Sequence, residues 1–283
     1  MNTPVFDITR EDISTIEWLE CRLFIEMSPD YFYYTILDNN NSVVALKCYQ
    51  VSYNNNQEMV NLLEETVNED PLLSTELKSS LIIFNWPENS LVPGNFFHKD
   101  INREMLGILH GDMNKGLILS EKIKGLDMYA VYRLPPVLDD FFQRRFPACT
   151  YRHYYSLWLD CKFRDETLLK DHVSIVFNPK EIIAAVFMNK QLQIIQNLQY
   201  RAAEDIAWQL LNIYMQFNLR QEEVPLLVGG MIDQNSAMYE ELLKYFQFVE
   251  TDTIPAGLTV PEQFQFFPEH FFSPILKLAL CAS

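Results

Sequence analysis

Glu26 is the one acidic side chain on an early β-prone run of this sequence where metal-assisted chemistry could begin. Two-metal hydrolysis of a phosphodiester needs several carboxylates converging on the ions, the first of them on the opening strand. A single acid there argues against a nuclease. His98, His110, His153, His172 and His270 stand apart, without the HxH or HxxxH spacing that puts two imidazoles on one face. Cys21, Cys48, Cys149, Cys161 and Cys281 are odd in number and irregular in spacing, with no CxxC, which predicts reduced thiols rather than a disulfide framework. Neither a GxSxG elbow nor a GxxxxGK loop occurs. Gly229-Gly230 follows the apolar run Pro225 to Val228 and precedes a helical pattern from Ser236 to Phe246. A glycine pair at such a strand-to-helix turn lets backbone come close to a ligand, and tight packing of the chain on itself asks for the same thing.

Charge narrows the partners. The chain of 283 residues has 22 Lys+Arg against 38 Asp+Glu, a net −16. Such a surface repels phosphate backbones and anionic leaflets, so nucleic acid and direct membrane insertion are not expected. The opening residues carry acid before any apolar run and lack a basic region, unlike a secretory signal. No apolar stretch approaches the ~20 residues of a membrane helix. A prenylation signal would need its cysteine where Leu280 stands, one place before Cys281. These features predict a cytoplasmic location.

The elements that must position these residues come in a pattern that occurs twice. Leu23 to Tyr49 holds three β-prone runs broken at Ser28-Pro29-Asp30 and at Asp38 to Asn41. Val173 to Tyr200 reads the same way, broken at Asn178-Pro179-Lys180 and Met188-Asn189-Lys190, so that Pro29 maps to Pro179 and Asn39 to Asn189 at an offset of 150. A helical segment with Val60, Leu63 and Val67 on one face and the run Leu81 to Phe84 follow the first meander. Glu204 to Phe217, with Ile206, Leu210, Ile213 and Phe217 on one face, and Pro225 to Val228 follow the second. Each half therefore reads βββαβ, as a duplication would, with a right-handed crossover setting the last strand parallel to the meander. Between the halves the patterns predict a helix over Asn95 to Leu109, a strand over Met128 to Leu134 and a helix over Val137 to Arg145. The apolar run Tyr151 to Leu159 then leads to a polar stretch, Lys162 to Lys170, where the boundary is set: residues 1–165 form the first half and 166–283 the second.

A duplicated βββαβ unit resembles the actin-like ATPase superfamily, which includes sugar kinases, heat-shock chaperones and pilus-assembly proteins. More narrowly, the sequence resembles a Bacteroidetes family, domain-of-unknown-function family 3822. SPDYFYYTILD in the first meander, LVPGNFF from Leu91, YRLPPVL from Tyr132 with RRFP after it, and the C-terminal HFFSPILKLALCAS carry this likeness. The resemblance implies an α/β, ribonuclease-H-like fold with mixed sheets flanked by helices. It brings no activity with it.

That resemblance also implies where ATP and Mg2+ would sit. Each first hairpin should offer an acid for the metal, with Gly and Ser or Thr whose N–H groups meet phosphate. The first hairpin offers Glu26 and Ser28 but no glycine, and it loses one N–H at Pro29. In the second, the acid is replaced by Phe177 or Asn178, and Asn178 and Lys180 are left to meet phosphate. Only the Gly229-Gly230 pair is retained. This predicts a degenerate site, leaning away from catalysis and needing no cofactor, in a scaffold that holds a protein partner. The alternative is a nucleotide-binding ATPase similar to pilus-assembly proteins, in which a bulky residue at Gly230 should abolish binding while leaving the fold intact.

Phe266, Phe267, Phe271 and Phe272 stand in a Pro-interrupted aromatic stretch that cannot form a regular amphipathic element. Such a stretch must lie against something, usually the chain itself; where it instead meets a partner, these four rings are the candidate interaction surface. The sequence leaves the partner unidentified, a second copy of the chain included.

Overall fold

Ser28-Pro29-Asp30 and Asn178-Pro179-Lys180 each close a hairpin, and each hairpin seeds a sheet. The computed structural model describes residues 3–112, 116–164 and 170–283. The expected boundary between residues 165 and 166 lies outside the described residues. The chain divides into two compact units, one of Met1–Arg164, Gly257–Pro261 and Leu278–Ser283, the other of Asp165–Ala256 and Glu262–Lys277.

The first unit is built on β1 (Phe6–Thr9), β2 (Arg22–Met27), β3 (Tyr31–Leu37), β4 (Val43–Gln50), α1 (Asn56–Glu69) and β5 (Ser79–Phe84). It continues through β6 (Asn89–Pro93), α2 (Asn102–His110), β7 (Leu117–Lys122), β8 (Met128–Leu134), α3 (Pro136–Arg145), β9 (Thr150–His153) and α4 (Tyr154–Arg164). Its main sheet has the order β1-β4-β3-β2-β5-β9, and β6-β8-β7 forms a small antiparallel sheet. Asn55 starts α1 by accepting from the N–H groups of Gln57 and Glu58, both at 3.0 Å. The helix then turns Met59, Leu63 and Val67 onto Leu23, Ile25, Phe32 and Ile82 of the sheet, where Leu138, Phe141 and Phe142 of α3 join them. Each such fully buried side chain contributes about 2 kcal/mol, far above the few tenths by which helix propensities differ. Packing therefore decides the elements. Polar groups on this face are bonded: Asp70, just past α1, accepts from Tyr34 Oη and Tyr49 Oη at 2.7 Å each and pairs with Lys47 Nζ at 3.2 Å.

The second unit comprises β10 (His172–Phe177), β11 (Glu181–Met188), β12 (Gln191–Gln199), α5 (Ala203–Gln216), β13 (Leu226–Gly230), α6 (Ala237–Tyr245) and β14 (Val249–Thr251). The last helix, α7 (Ser273–Ala282), begins in it. Its sheet has the order β12-β11-β10-β13-β14. Asp205 ties the start of α5 by accepting from the N–H groups of Arg201 and Ala202, and Ile206, Leu210, Ile213 and Tyr214 face Val173, Ile175 and Val228. Phe217 falls one residue past the helix and is only partly buried.

The order β4-β3-β2-β5 in one unit matches β12-β11-β10-β13 in the other, with the last strand parallel to the first of the meander in both. Local bonds match too. Ser28 N–H donates to Tyr31 O and Asn178 N–H to Glu181 O, while Asn85 N–H donates to Met27 O and Met231 N–H to Phe177 O. This register makes Glu26 equivalent to Val176 and Ser28 equivalent to Asn178.

One element departs from expectation. The helix expected from Asn95 starts only at Asn102, after short 3-10 turns at Gly94–Phe96 and Lys99–Ile101. Gly94 N–H is drawn to Asp127 O at 2.8 Å and the Phe97 ring stacks on Tyr129 at 3.8 Å, so tertiary contacts hold this stretch out of the helix. The run Tyr151 to Leu159 divides between the end of β9 and the start of α4.

Candidate functional site

The first hairpin satisfies its own donors. Ser28 Oγ accepts from Asp30 N–H at 3.2 Å and from Tyr31 N–H at 3.1 Å. These are the backbone groups of the turn that a phosphate would have to take, so the hydroxyl occupies the place of an anion. Two residues earlier, Glu26 lies with 4% of its surface exposed. Its Oε1 accepts from Tyr31 Oη at 2.5 Å and from Asn85 Nδ2 at 3.0 Å, and Asn85 Nδ2 also reaches Tyr31 Oη at 2.9 Å. Burial pushes the Glu26 carboxyl up to about 7, against the opposing pull of the bonds from Tyr31 and Asn85. A metal ligand needs a charged oxygen open to the ion. Among the described residues no group of three or more His, Cys, Asp or Glu is placed to hold a metal.

The second hairpin carries no acid at the matching position, since the side chain equivalent to Glu26 is the buried Val176. The expectation placed this substitution at Phe177 or Asn178, one or two residues late. Asn178 is buried, and its carbonyl accepts from Tyr200 Oη at 2.8 Å. Lys180 is exposed, and its carbonyl accepts from Tyr200 N–H at 3.3 Å. Tyr200 thus closes the turn from β12.

Gly230 ends β13 with φ +84°, and a Cβ on it would stand 2.3 Å from Phe177 O and 2.7 Å from Phe177 N. Strand β10 passes where a side chain would be, which is a sufficient reason for glycine. A Cβ on Gly229 would make ordinary contacts at 3.4 Å to Pro274 and 3.5 Å to Asp252. Asp252 in turn accepts from Ser273 Oγ at 3.0 Å and pairs with Lys277, so the start of α7 lies over this glycine. The expectation that a bulky residue at Gly230 would spare the fold is corrected: it would collide with backbone, which cannot turn aside. Of the six residues expected at a nucleotide site, Glu26 and Ser28 adjoin in the first unit, and Asn178 and Gly230 adjoin at the ends of β10 and β13 in the second.

The aromatic stretch folds as two 3-10 turns, Glu262–Phe266 and Glu269–Phe271, around Phe272. The Phe272 ring is fully buried and meets those of Phe264 at 5.2 Å, Phe267 at 5.5 Å and Phe271 at 6.3 Å, edge to face. Phe272 is therefore core rather than interaction surface. Phe267 and Phe271 are half-buried, and Phe266, 75% exposed, is the ring left open.

Sequence reasoning missed a cavity of about 530 Å³ in the first unit, lined by Asn56, Trp86, Glu88, Arg133 and Pro135 to Val137. Arg133 Nη2 pairs with Glu88 Oε1 at 2.5 Å, and Arg133 N–H donates to Glu88 O at 3.0 Å. The signal was present, because the string Tyr132 to Leu138 carries Arg133 one residue before the end of β8 and turns at Pro135 on the wall of this cavity.

Two units with one strand order, each a meander plus a parallel strand behind a helix, define a protein of the actin-like ATPase fold. The sequence matches the family described as "Protein of unknown function (DUF3822)" over residues 10–249, and the chain belongs to it. Among solved structures it is similar to a Bacteroides thetaiotaomicron protein of actin-like ATPase fold and unknown function, at 15% identity, with TM-score 0.72, over 84% of this chain and 94% of that one. It is similar to the PilM-PilN type IV pilus biogenesis complex at 12% identity, with TM-score 0.65, over 93% of this chain and 98% of that one. The ethanolamine utilization protein EutJ from Carboxydothermus hydrogenoformans is similar at 8% identity, with TM-score 0.50, over 92% and 89%. Comparison with curated proteins gives no match. No helix among the described residues is long and apolar enough to cross a membrane.

Proposed function

We propose that this chain is a non-catalytic scaffold, which uses an actin-like fold to hold a protein partner and has given up its nucleotide site. The observation that carries this reading is Ser28 Oγ on the N–H groups of Asp30 and Tyr31. A hairpin whose donors are capped by its own hydroxyl has little to offer a phosphate. The buried, bonded Glu26 supports it, as does Val176 in the equivalent place. The exposed Phe266 suits a contact with protein, and a net charge of −16 disfavours nucleic acid. The likeness to PilM, solved together with PilN, fits the same reading. The competing reading, an ATPase with ATP and Mg2+ at Ser28, Asn178, Lys180, Gly229 and Gly230, draws its support from Lys180, exposed in the second hairpin.

Thermal unfolding with and without ATP and Mg2+ separates the two. A nucleotide at ~100 times its dissociation constant adds about 2.7 kcal/mol to the native state. The scaffold reading expects no change in midpoint at millimolar ATP. A clear rise, reduced by Lys180→Ala, overturns it.

A further inference from the structure

Three of the five cysteines, Cys21, Cys48 and Cys149, are buried as inert core thiols. The other two are placed differently. Cys161 in α4 and Cys281 near the end of α7 are both partly exposed, and their thiols hydrogen-bond to each other across 120 residues of sequence. Arg164, one turn on from Cys161, donates from Nη1 to the Cys281 carbonyl at 2.6 Å, which brings its guanidinium beside the pair. The bond from Cys161 and the nearby Arg164 hold the Cys281 thiol below its ordinary value, whereas Cys161, donating that bond and more deeply buried, is pushed up. Asp160, the other charged neighbour, works against the ionisation of both.

We propose that Cys161 and Cys281 form a redox-active dithiol, with Cys281 the attacking sulfur and Cys161 the resolving one, that exchanges with small-molecule disulfides and closes into a bond between α4 and the C-terminal end of α7. Reactive cysteines stand in electropositive, accessible places and act as thiolates, and an asymmetric pair of this kind divides the two roles. The Cys281 thiolate attacks one sulfur of an oxidised disulfide such as oxidised glutathione. The S–S bond breaks, and the departing thiolate takes up a proton. Cys161 then gives up its proton and attacks the Cys281 sulfur of the mixed disulfide, expelling the second thiol. Two protein thiols are oxidised, one external disulfide is reduced to two thiols, and both protons end on the leaving groups.

The test treats the fully reduced, folded protein with oxidised glutathione and reads intact mass, free thiols and disulfide-linked peptides. Closure should remove two of the five thiols and two hydrogens, and yield a Cys161–Cys281 peptide pair. Cys161→Ser should stop at a mixed disulfide on Cys281, and Cys281→Ser should not react. If no thiols are lost, if another pair closes, or if the wild-type mixed disulfide persists, the proposal is overturned. If either variant fails to fold, iodoacetamide on the wild type keeps the test open: Cys281 should be alkylated at least ~10-fold faster than Cys48, as a thiolate advantage of one pKa step requires. Equal rates overturn it.

Discussion

Tyr31 Oη donates to Glu26 Oε1 at 2.5 Å, and Asn85 completes the triangle, so the carboxyl expected to hold a metal is instead a sealed member of the first unit's sheet. Glu26 and Tyr31 flank the Ser28 turn, and Asn85 arrives from the end of β5, where its own N–H is fixed to Met27 O at 2.9 Å. Three strands and one turn thus converge on a group whose hydrogen-bond partners among the described residues, Tyr31 and Asn85, are both neutral.

Glu26→Gln should stabilise the protein in alkaline solution. The folded value near 7 lies above the ordinary 4.5, so the stability linked to this group is fully present below pH 4.5 and is lost as pH rises toward 7. Above that, the native state carries a buried anion that the amide lacks. The gain at pH 8 should be on the order of 2–3 kcal/mol, and little should remain at pH 4.5. Urea denaturation at the two pH values measures it. A loss at pH 8 would mean that the charge itself is useful, as metal binding requires.

Gly230→Ala and Gly229→Ala should differ sharply although the residues are adjacent. At Gly230 the left-handed backbone and the 2.3 Å approach to Phe177 O act together, and a cost of about 3 kcal/mol or more follows. Gly229 has only ordinary contacts at its Cβ position, and its change should stay within about 1 kcal/mol. Paired urea midpoints decide the matter. Equal tolerance at both sites would return the glycine pair to a ligand.

How much of this was legible follows from how local each signal is. Met128 to Leu134 alternates between clear punctuation and is a strand over those same residues. Pro136 stands at the first turn of α3, where a proline marks a helix start. The βββαβ order was readable because turn residues and periodicity lie within each half. The helix expected at Asn95 failed because Asp127 and Tyr129, some thirty residues away, claim Gly94 and Phe97. The site shows the same division. Glu26 and the glycine pair stood out by residue type, but Asn85 is 59 positions from Glu26 and becomes its partner only through the β2–β5 register. Likewise the reason for Gly230 is a backbone oxygen 53 residues earlier, and no composition or spacing encodes that.

Glu26 has a counterweight in His153, and the two act on stability in opposite senses as pH changes. The His153 ring is wholly buried, accepts at Nδ1 from Tyr155 N–H at 3.1 Å, and so donates from Nε2 to Trp86 O at 3.2 Å as the neutral imidazole. Burial lowers its value from 6.5 to about 4, so the native state resists a proton that the unfolded chain accepts. Stability linked to His153 is therefore present above pH 6.5 and lost as pH falls toward 4, the opposite sense to Glu26. Between about pH 4.5 and 6.5 the two slopes oppose each other at up to ~1.4 kcal/mol per pH unit each, and the wild type should have a correspondingly flattened profile there. Glu26→Gln removes one slope and leaves the other, so the variant should gain stability steeply as pH rises from 4.5 to 6.5. Urea midpoints at half-unit intervals across that window measure both curves. Parallel curves for variant and wild type would show that Glu26 holds no proton in the folded state, and the sealed triangle would then be an anion.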